Sequence, residues 1–174
     1  MQKIAVFGSA FNPPSLGHKS VIDSLNHFDR VLLVPSISHA WGKIMLDYQI
    51  RCQLLQAFIK DLGESKAELS TVEQSLVKPN TSVTTYEVLD ALQDEYPEAE
   101  LTFVIGPDNL FKFAKFYRSD DILKRWSVMA CPQRLPIRST DIRDRLSQQQ
   151  NINDLTTDGV AKLLKQQNLY QPSS

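Results

Sequence analysis

A chain of 174 residues with 42% hydrophobic and 22% charged side chains has the size and composition of one globular domain, and residues 1–174 are expected to form a single domain. The net charge of −1 supplies no overall field for a polyanion, so nucleic acid is not an expected partner, and no apolar run approaches the ~20 residues that span a bilayer. Cys52 and Cys131 lack the paired spacing of a zinc site or redox dithiol, and "MQKIAVFGSAFNPP" reads as a strand rather than a secretory signal, which together predict a cytoplasmic location.

Short apolar runs alternate with helical patterns along the chain. "KIAVF" reads as a strand, "LGHKSVIDSLNHF" as a helix, "RVLLVP" as a strand and "DYQIRCQLLQAFIKDL" as a helix. "AELSTVE" is expected as a third strand, and "TSVTTYEVLDALQDEY" as an amphipathic helix with Val88, Leu89 and Leu92 on one stripe. "LTFVIG" follows as a buried strand, then short helices near Asn109–Ala114 and Asp120–Lys124, and the strand "WSVMAC". "STDIRDRLSQQQ" and "TDGVAKLLKQQNLY" are helical with no strand between them. The pattern predicts an α/β fold, a Rossmann-like doubly wound parallel sheet with a small C-terminal helical end. Ligands of such sheets bind beyond the carboxyl ends of the strands, where Gly8, Pro35 and Gly106 fall.

Two segments carry anion-binding chemistry. In "FGSAFNPPSLGHKSV", Gly8 ends a strand, Pro13 and Pro14 stiffen the approach, and a helix starts near Ser15 with unpaired N–H groups, the positive end of its dipole and His18 in its first turn. A strand-to-helix turn with a surface histidine accounts for the same residues, because the glycines are not spaced as GxGxxG or as a Walker loop. In "IRSTDIR", Ser139 or Thr140 suits an N-cap and Asp141 suits the dipole, but capping does not call for arginine at both Arg138 and Arg143. Asp108 is expected to cap the helix after Gly106. Phe111, Phe113, Phe116 and Tyr117 read as packing, with room for one ring to face a cleft, and "SISHAWGKIM" places His39, Trp41 and Lys43 on a loop. His18, His27 and His39 have no metal-ligand spacing, and no nucleophile elbow surrounds Ser9.

Taken together, "GSAFNPPSLGH" and "IRSTDIR" resemble the paired signatures of the nucleotidyltransferase superfamily that carries an (H/T)xGH motif and an ISSTxIR motif. With "FVIGPDNL" and "LLKQQNLY", the chain is most similar to bacterial nicotinate mononucleotide adenylyltransferases and the related nicotinamide mononucleotide enzymes, over most of its length. The resemblance implies transfer of AMP from ATP to a pyridine mononucleotide with release of pyrophosphate, and Mg²⁺ carried mainly by the ATP phosphates. It also implies that Gly8, Ser9, Phe11, Ser15, His18, Gly106, Asp108, Arg138, Ser139, Thr140 and Arg143 bind ATP, with His18 and Arg143 catalytic. By the same resemblance Asn12, Lys43, Thr84 and Phe116 contact the pyridine mononucleotide. The sequence departs from the family pattern at Ser15, where His or Thr is usual, at Arg138 in place of the first Ser, at Phe116 where Trp is common and at Val83 where Tyr is common. The alternatives are another adenylyl- or cytidylyltransferase of the superfamily, such as a phosphopantetheine enzyme, and a nucleotide-binding module without turnover.

Overall fold

The computed structural model describes residues 1–38 and 45–172. Its elements in chain order are β1 (Lys3–Ser9), α1 (Leu16–Asp23), β2 (Arg30–Pro35), α2 (Tyr48–Asp61), β3 (Ala67–Leu69), α3 (Val72–Leu76) and α4 (Thr85–Glu95). They continue with β4 (Glu100–Ile105), α5 (Pro107–Lys112), a 3₁₀ turn (Phe113–Lys115), α6 (Ser119–Arg125), β5 (Ser127–Ala130), α7 (Ser139–Ser147) and α8 (Asp158–Gln166). The five strands pair in parallel in the order β3-β2-β1-β4-β5. The order turns back between β1 and β4, and in a sheet of this kind the crevice for a ligand opens at that junction.

Strict alternation along the strands divides the core into two layers. Ala5, Phe7, Val31, Leu33 and Val104 face one side, where α1, α2, α7 and α8 supply Val21, Ile22, Leu54, Leu55, Phe58, Ile142, Leu146, Val160 and Leu164. Ile4, Val6, Leu32, Val34, Leu101, Phe103 and Ile105 face the other, against Val88, Leu89 and Leu92 of α4 and Ile122 of α6. The C-terminal helices are therefore part of the first layer. Among the described residues no helix is long and apolar enough to cross a membrane. Cys52 and Cys131 are buried free thiols.

Three elements differ from the expected ones. The strand expected over "AELSTVE" stops at Leu69, because Ser70 turns the chain: its N–H bonds to Leu33 O, its hydroxyl accepts from Val72 N–H, and α3 starts there. Asp108 does not cap α5. Gly106 is the N-cap and Pro107 takes the first helical position, which needs no N–H. The cap of α7 is Arg138 rather than Ser139 or Thr140, with the Asp141 carboxylate accepting from the Arg138 N–H at 2.9 Å.

Gly17 is the glycine that the packing requires. A Cβ there would lie 2.0 Å from the Ile137 carbonyl oxygen, whereas at Gly8 it would meet only Val34 O at 3.7 Å and at Gly106 nothing within 4 Å. Helix α1 therefore touches the segment before α7 backbone to backbone. Gly17→Ala is expected to cost about 3 kcal/mol in chemical denaturation, because a carbonyl cannot yield as a side chain does. Gly8→Ala, where the space is ordinary, should cost less than about 1 kcal/mol.

Candidate active site

The crevice at the β1–β4 junction holds two adjoining cavities that share Gly8, Ser9 and Asn109. The first, of about 280 Å³, is walled by the end of β1, the start of α1, the segment from Ile105 to Asn109, and the start of α7. Gly8, Ser9, Ser15, His18, Gly106, Asp108, Arg138, Ser139 and Thr140 all line it. Phe11 and Arg143 do not. Phe11 is fully buried with φ +48°, its ring 4.7 Å from that of His18, so it supports the imidazole from behind. Arg143 donates to Asn12 O at 2.7 Å and to the Thr140 hydroxyl at 3.1 Å.

Local sequence builds the first wall. Ser15 caps α1 with its hydroxyl toward His18 N–H, and the Ser15 N–H donates to His18 Nδ1 at 3.0 Å, so the histidine closes a capping box in the position usually held by Glu or Gln. A backbone N–H can only donate, so Nδ1 must offer a lone pair and the proton of neutral His18 resides on Nε2. Nε2 lies 3.1 Å from the Ser9 hydroxyl, to which it donates, and both residues line the cavity. Desolvation pushes the imidazole down from 6.5 to about 4, in keeping with a neutral ring.

The facing wall is the start of α7. Its first N–H groups, at Ser139 and Thr140, have no intrahelical acceptor and carry the positive end of the dipole. The α1 N–H groups of Leu16 and His18 are taken by Leu155 O and Ser15 Oγ, and Gly17, the remaining residue of that turn, lines the cavity. Arg138 spans the mouth to Asp108 at 2.8 Å, with both side chains exposed. The cavity thus offers two helix starts, a neutral imidazole donor, hydroxyls and a guanidinium, a donor set that suits a chain of phosphates.

The second cavity, about 290 Å³, lies on the α4 side of the sheet. Val6, Val34 and Phe103 form apolar surface, Phe116 stands 6.3 Å from Phe103 centroid to centroid, and Val83, Thr85 and Val88 close one side. Thr84 sits just behind, capping α4 through its hydroxyl to Glu87 N–H. Asn12 is not in this cavity. It is buried, with Oδ1 accepting from Leu46 N–H at 3.3 Å and from the Tyr170 hydroxyl. Lys43, with His39 and Trp41, lies outside the described residues.

The residues alone did not single out Gln133 and Asn109 in the first cavity, or Ser36 and Glu73 in the second. They likewise left out Arg51, the largest fully buried side chain among the described residues, which donates to four backbone carbonyls around the crevice. Its signal was present: Tyr48, Arg51, Leu55 and Phe58 share one helical face, an arginine on a core stripe.

The cytidylyltransferase-like family profile matches residues 6–145 of the chain. A crystal structure of a candidate nicotinate-nucleotide adenylyltransferase from Vibrio parahaemolyticus is 59% identical, with a TM-score of 0.86 over 95% of this chain and 99% of that one. A Bacillus pumilus protein named "Probable nicotinate-nucleotide adenylyltransferase" is 25% identical over 98% of this chain and all of its own length. The Plasmodium falciparum nicotinic acid mononucleotide adenylyltransferase complexed with NaAD is 17% identical and shares the fold, with a TM-score of 0.77 over 98% of each chain.

The depressed His18 value fixes a sign for stability against pH. The unfolded chain takes up a proton on this residue below about 6.5 and the folded chain only below about 4, so stability is lost as pH falls through that window. The loss is up to about 3 kcal/mol. Glu73, raised by burial to about 7, works in the opposite direction there, so the His18 contribution is read by difference. Denaturation of wild type and His18→Gln from pH 7 to 4 should show the variant losing less stability than wild type.

Proposed function

The chain belongs to the cytidylyltransferase-like family, and within it we propose a nicotinate-nucleotide adenylyltransferase, which joins the AMP of ATP to nicotinate mononucleotide and releases pyrophosphate. The observation that carries this reading is the pair of cavities meeting at Gly8, Ser9 and Asn109, one furnished for phosphates and the other for a flat ring. In this reading the whole chain acts as one catalytic domain.

ATP occupies the first cavity, its phosphates against the starts of α1 and α7. The acceptor's 5′-phosphate attacks the α-phosphorus in line with the departing pyrophosphate. An acceptor phosphate oxygen is already anionic, so no side chain has to remove a proton. The barrier lies in bringing anions together and in the charge that grows on the leaving group. His18 answers the second need: its Nε2–H, held by the Ser15 N–H on Nδ1, donates without adding a charge that would have to be desolvated. Ser139 and Thr140 add donors on the opposite side. Arg138 exchanges Asp108 for phosphate, and Arg143 reaches the phosphates with the N–H groups it does not use on Asn12 and Thr140.

Among the described residues no three His, Cys, Asp or Glu side chains converge as a metal cage. Asp108, the carboxylate that lines the first cavity, would stand beside Mg²⁺ carried by the ATP phosphates and water, and the ion when bound would neutralise phosphate charge.

The ring of the acceptor stacks on Phe116 in the second cavity, and its carboxylate faces the start of α4. Thr85 lines that cavity, and the N–H groups of the first turn of α4 together with the dipole favour an anion. The Thr84 hydroxyl accepts from Glu87 N–H and so retains its own proton for donation. Donors at the start of α4 prefer the acid to the amide at that end of the cavity.

The test is pyrophosphate release over a panel of acceptors, with ATP and with CTP. Turnover is expected with ATP and with both pyridine mononucleotides, the nicotinate form having the higher kcat/KM. A tenfold preference for the amide, about 1.4 kcal/mol, would reverse the assigned order.

His18→Ala should lower kcat by about 10²–10³ with the fold intact. Arg143→Lys should remain damaging because an ammonium lacks the planar fork, while Arg138→Ser should be mild. Near-normal kcat in the His18 variant would remove that residue from the chemistry.

A further inference from the structure

Glu73 is the only ionisable side chain that lines the second cavity among the described residues. It stands on the β2 side, next to Ser36, across the end of β1 from the Phe103 and Phe116 wall. Its side chain is more than nine-tenths buried, and Oε1 accepts from Ile37 N–H at 3.2 Å. The charged groups around it are Arg51 on α2, which favours its ionised form, and Glu87 on α4, which opposes it. Among the described residues the nearby Tyr48 hydroxyl is buried with no hydrogen-bond partner at ordinary distance. Among the described residues this buried carboxyl has one bond, to a backbone N–H, which leaves acceptor capacity unspent, and such a group is costly to bury unless something supplies donors.

We propose that Glu73 binds the ribose hydroxyls of the acceptor mononucleotide and thereby sets the acceptor's position and the requirement for a ribose. The inference rests on the function assigned above, and the chemistry of that acceptor selects the contact. Nicotinate mononucleotide carries a phosphate at one end and a carboxylate at the other, both of which only accept. Its hydrogen-bond donors are its two ribose hydroxyls. A carboxylate lining this cavity can therefore accept hydrogen bonds only from the sugar, and its charge suits the cationic pyridinium ring that the sugar carries. The same carboxylate repels a phosphate or ring carboxylate that enters in the wrong orientation, so it also fixes which end of the acceptor points toward ATP.

The test is kcat/KM at saturating ATP for wild type, Glu73→Ala and Glu73→Gln, each with nicotinate mononucleotide and its 2′-deoxy and 3′-deoxy forms. Glu73→Ala should lower kcat/KM for the ribonucleotide by about tenfold to a hundredfold, the usual effect of losing a hydrogen bond to a charged group. Glu73→Gln, which keeps an acceptor for Ile37 N–H, should lose less. With the deoxy acceptor that lacks the contacted hydroxyl, wild type and variant should agree within about threefold, and the KM for ATP should stay within about twofold.

An equal loss with the ribo and both deoxy acceptors would overturn the assignment, since Glu73 would then act on the fold and not on the sugar. Should the alanine variant fail to fold, the same comparison on Glu73→Gln decides. Wild-type turnover with an unaffected Glu73→Ala would overturn this inference alone. No wild-type turnover with either pyridine mononucleotide would overturn the function assignment and this inference with it.

Discussion

Three consecutive carbonyls, those of Asn12, Pro13 and Pro14, set the terms for the whole crevice. The segment is buried, and two of its residues are prolines that contribute acceptors but no N–H. Helix and sheet ladders cannot satisfy it, so donors must come from elsewhere. They come from the last third of the chain: Arg143 to Asn12 O at 2.7 Å, the Ser139 hydroxyl to Pro13 O at 2.6 Å and the Thr156 hydroxyl to Pro14 O at 2.8 Å. Leu16 N–H returns the exchange to Leu155 O at 2.9 Å, and Gly17 lets the Ile137 backbone sit directly against α1. The paired prolines are thus more than stiffeners of a turn. They make the first motif incomplete without the last, and the same bonds that complete it bring the starts of α1 and α7 face to face across the phosphate cavity.

A second constraint holds the acceptor side. Arg51 donates to Leu46 O at 2.8 Å, Ala10 O at 2.8 Å, Ser36 O at 2.6 Å and Ile37 O at 3.4 Å, with no salt bridge to a carboxylate among the described residues. Its charge is spread over carbonyl dipoles from three segments: the loop after β1, the loop after β2 and the approach to α2. Burial of a guanidinium is costly, and its replacement would leave those carbonyls without donors, so the arrangement is stable only as a unit. Ile37 links this unit to the cavity, with its carbonyl on Arg51 and its N–H on Glu73.

Much of this organisation could be read from the chain, and the limits follow from what kind of contact was involved. Strand alternation and the stripe of Val88, Leu89 and Leu92 are local, periodic signals, and they gave the sheet and its two covered faces. The helix starts at Ser15 and near Ser139 were visible as capping chemistry, but the identity of the α7 cap was not. Arg138 caps through its backbone, and Asp141 supplies the side chain. Phe11 and Asn12 lie inside the motif that marks the site, yet one packs behind His18 and the other spends its groups on Leu46, Tyr170 and Arg143. Motif membership located the neighbourhood without separating side chains that face the cavity from those that brace it. Glu73 was hidden for another reason. It falls in a stretch that propensity assigned to a strand, and only the turn at Ser70 points it into the crevice.

The two cavities also divide the electrostatic work. In the first, the charged pair Arg138 and Asp108 lies exposed at the mouth, where solvent limits the cost of parting it, while the interior is furnished with dipoles and the neutral His18. Fixed dipoles stabilise an anion without the desolvation cost that a buried free cation would carry in the empty site. In the second, the aromatic wall is uncharged and the one ionisable group among the described residues is an acid. Among the described residues a phosphate is therefore favoured at the shared boundary of Gly8, Ser9 and Asn109 and disfavoured beside Glu73. Under the proposed function, this gradient would oppose insertion of the acceptor phosphate-first toward Glu73 and would leave its phosphate beside the first cavity, where in-line attack needs it.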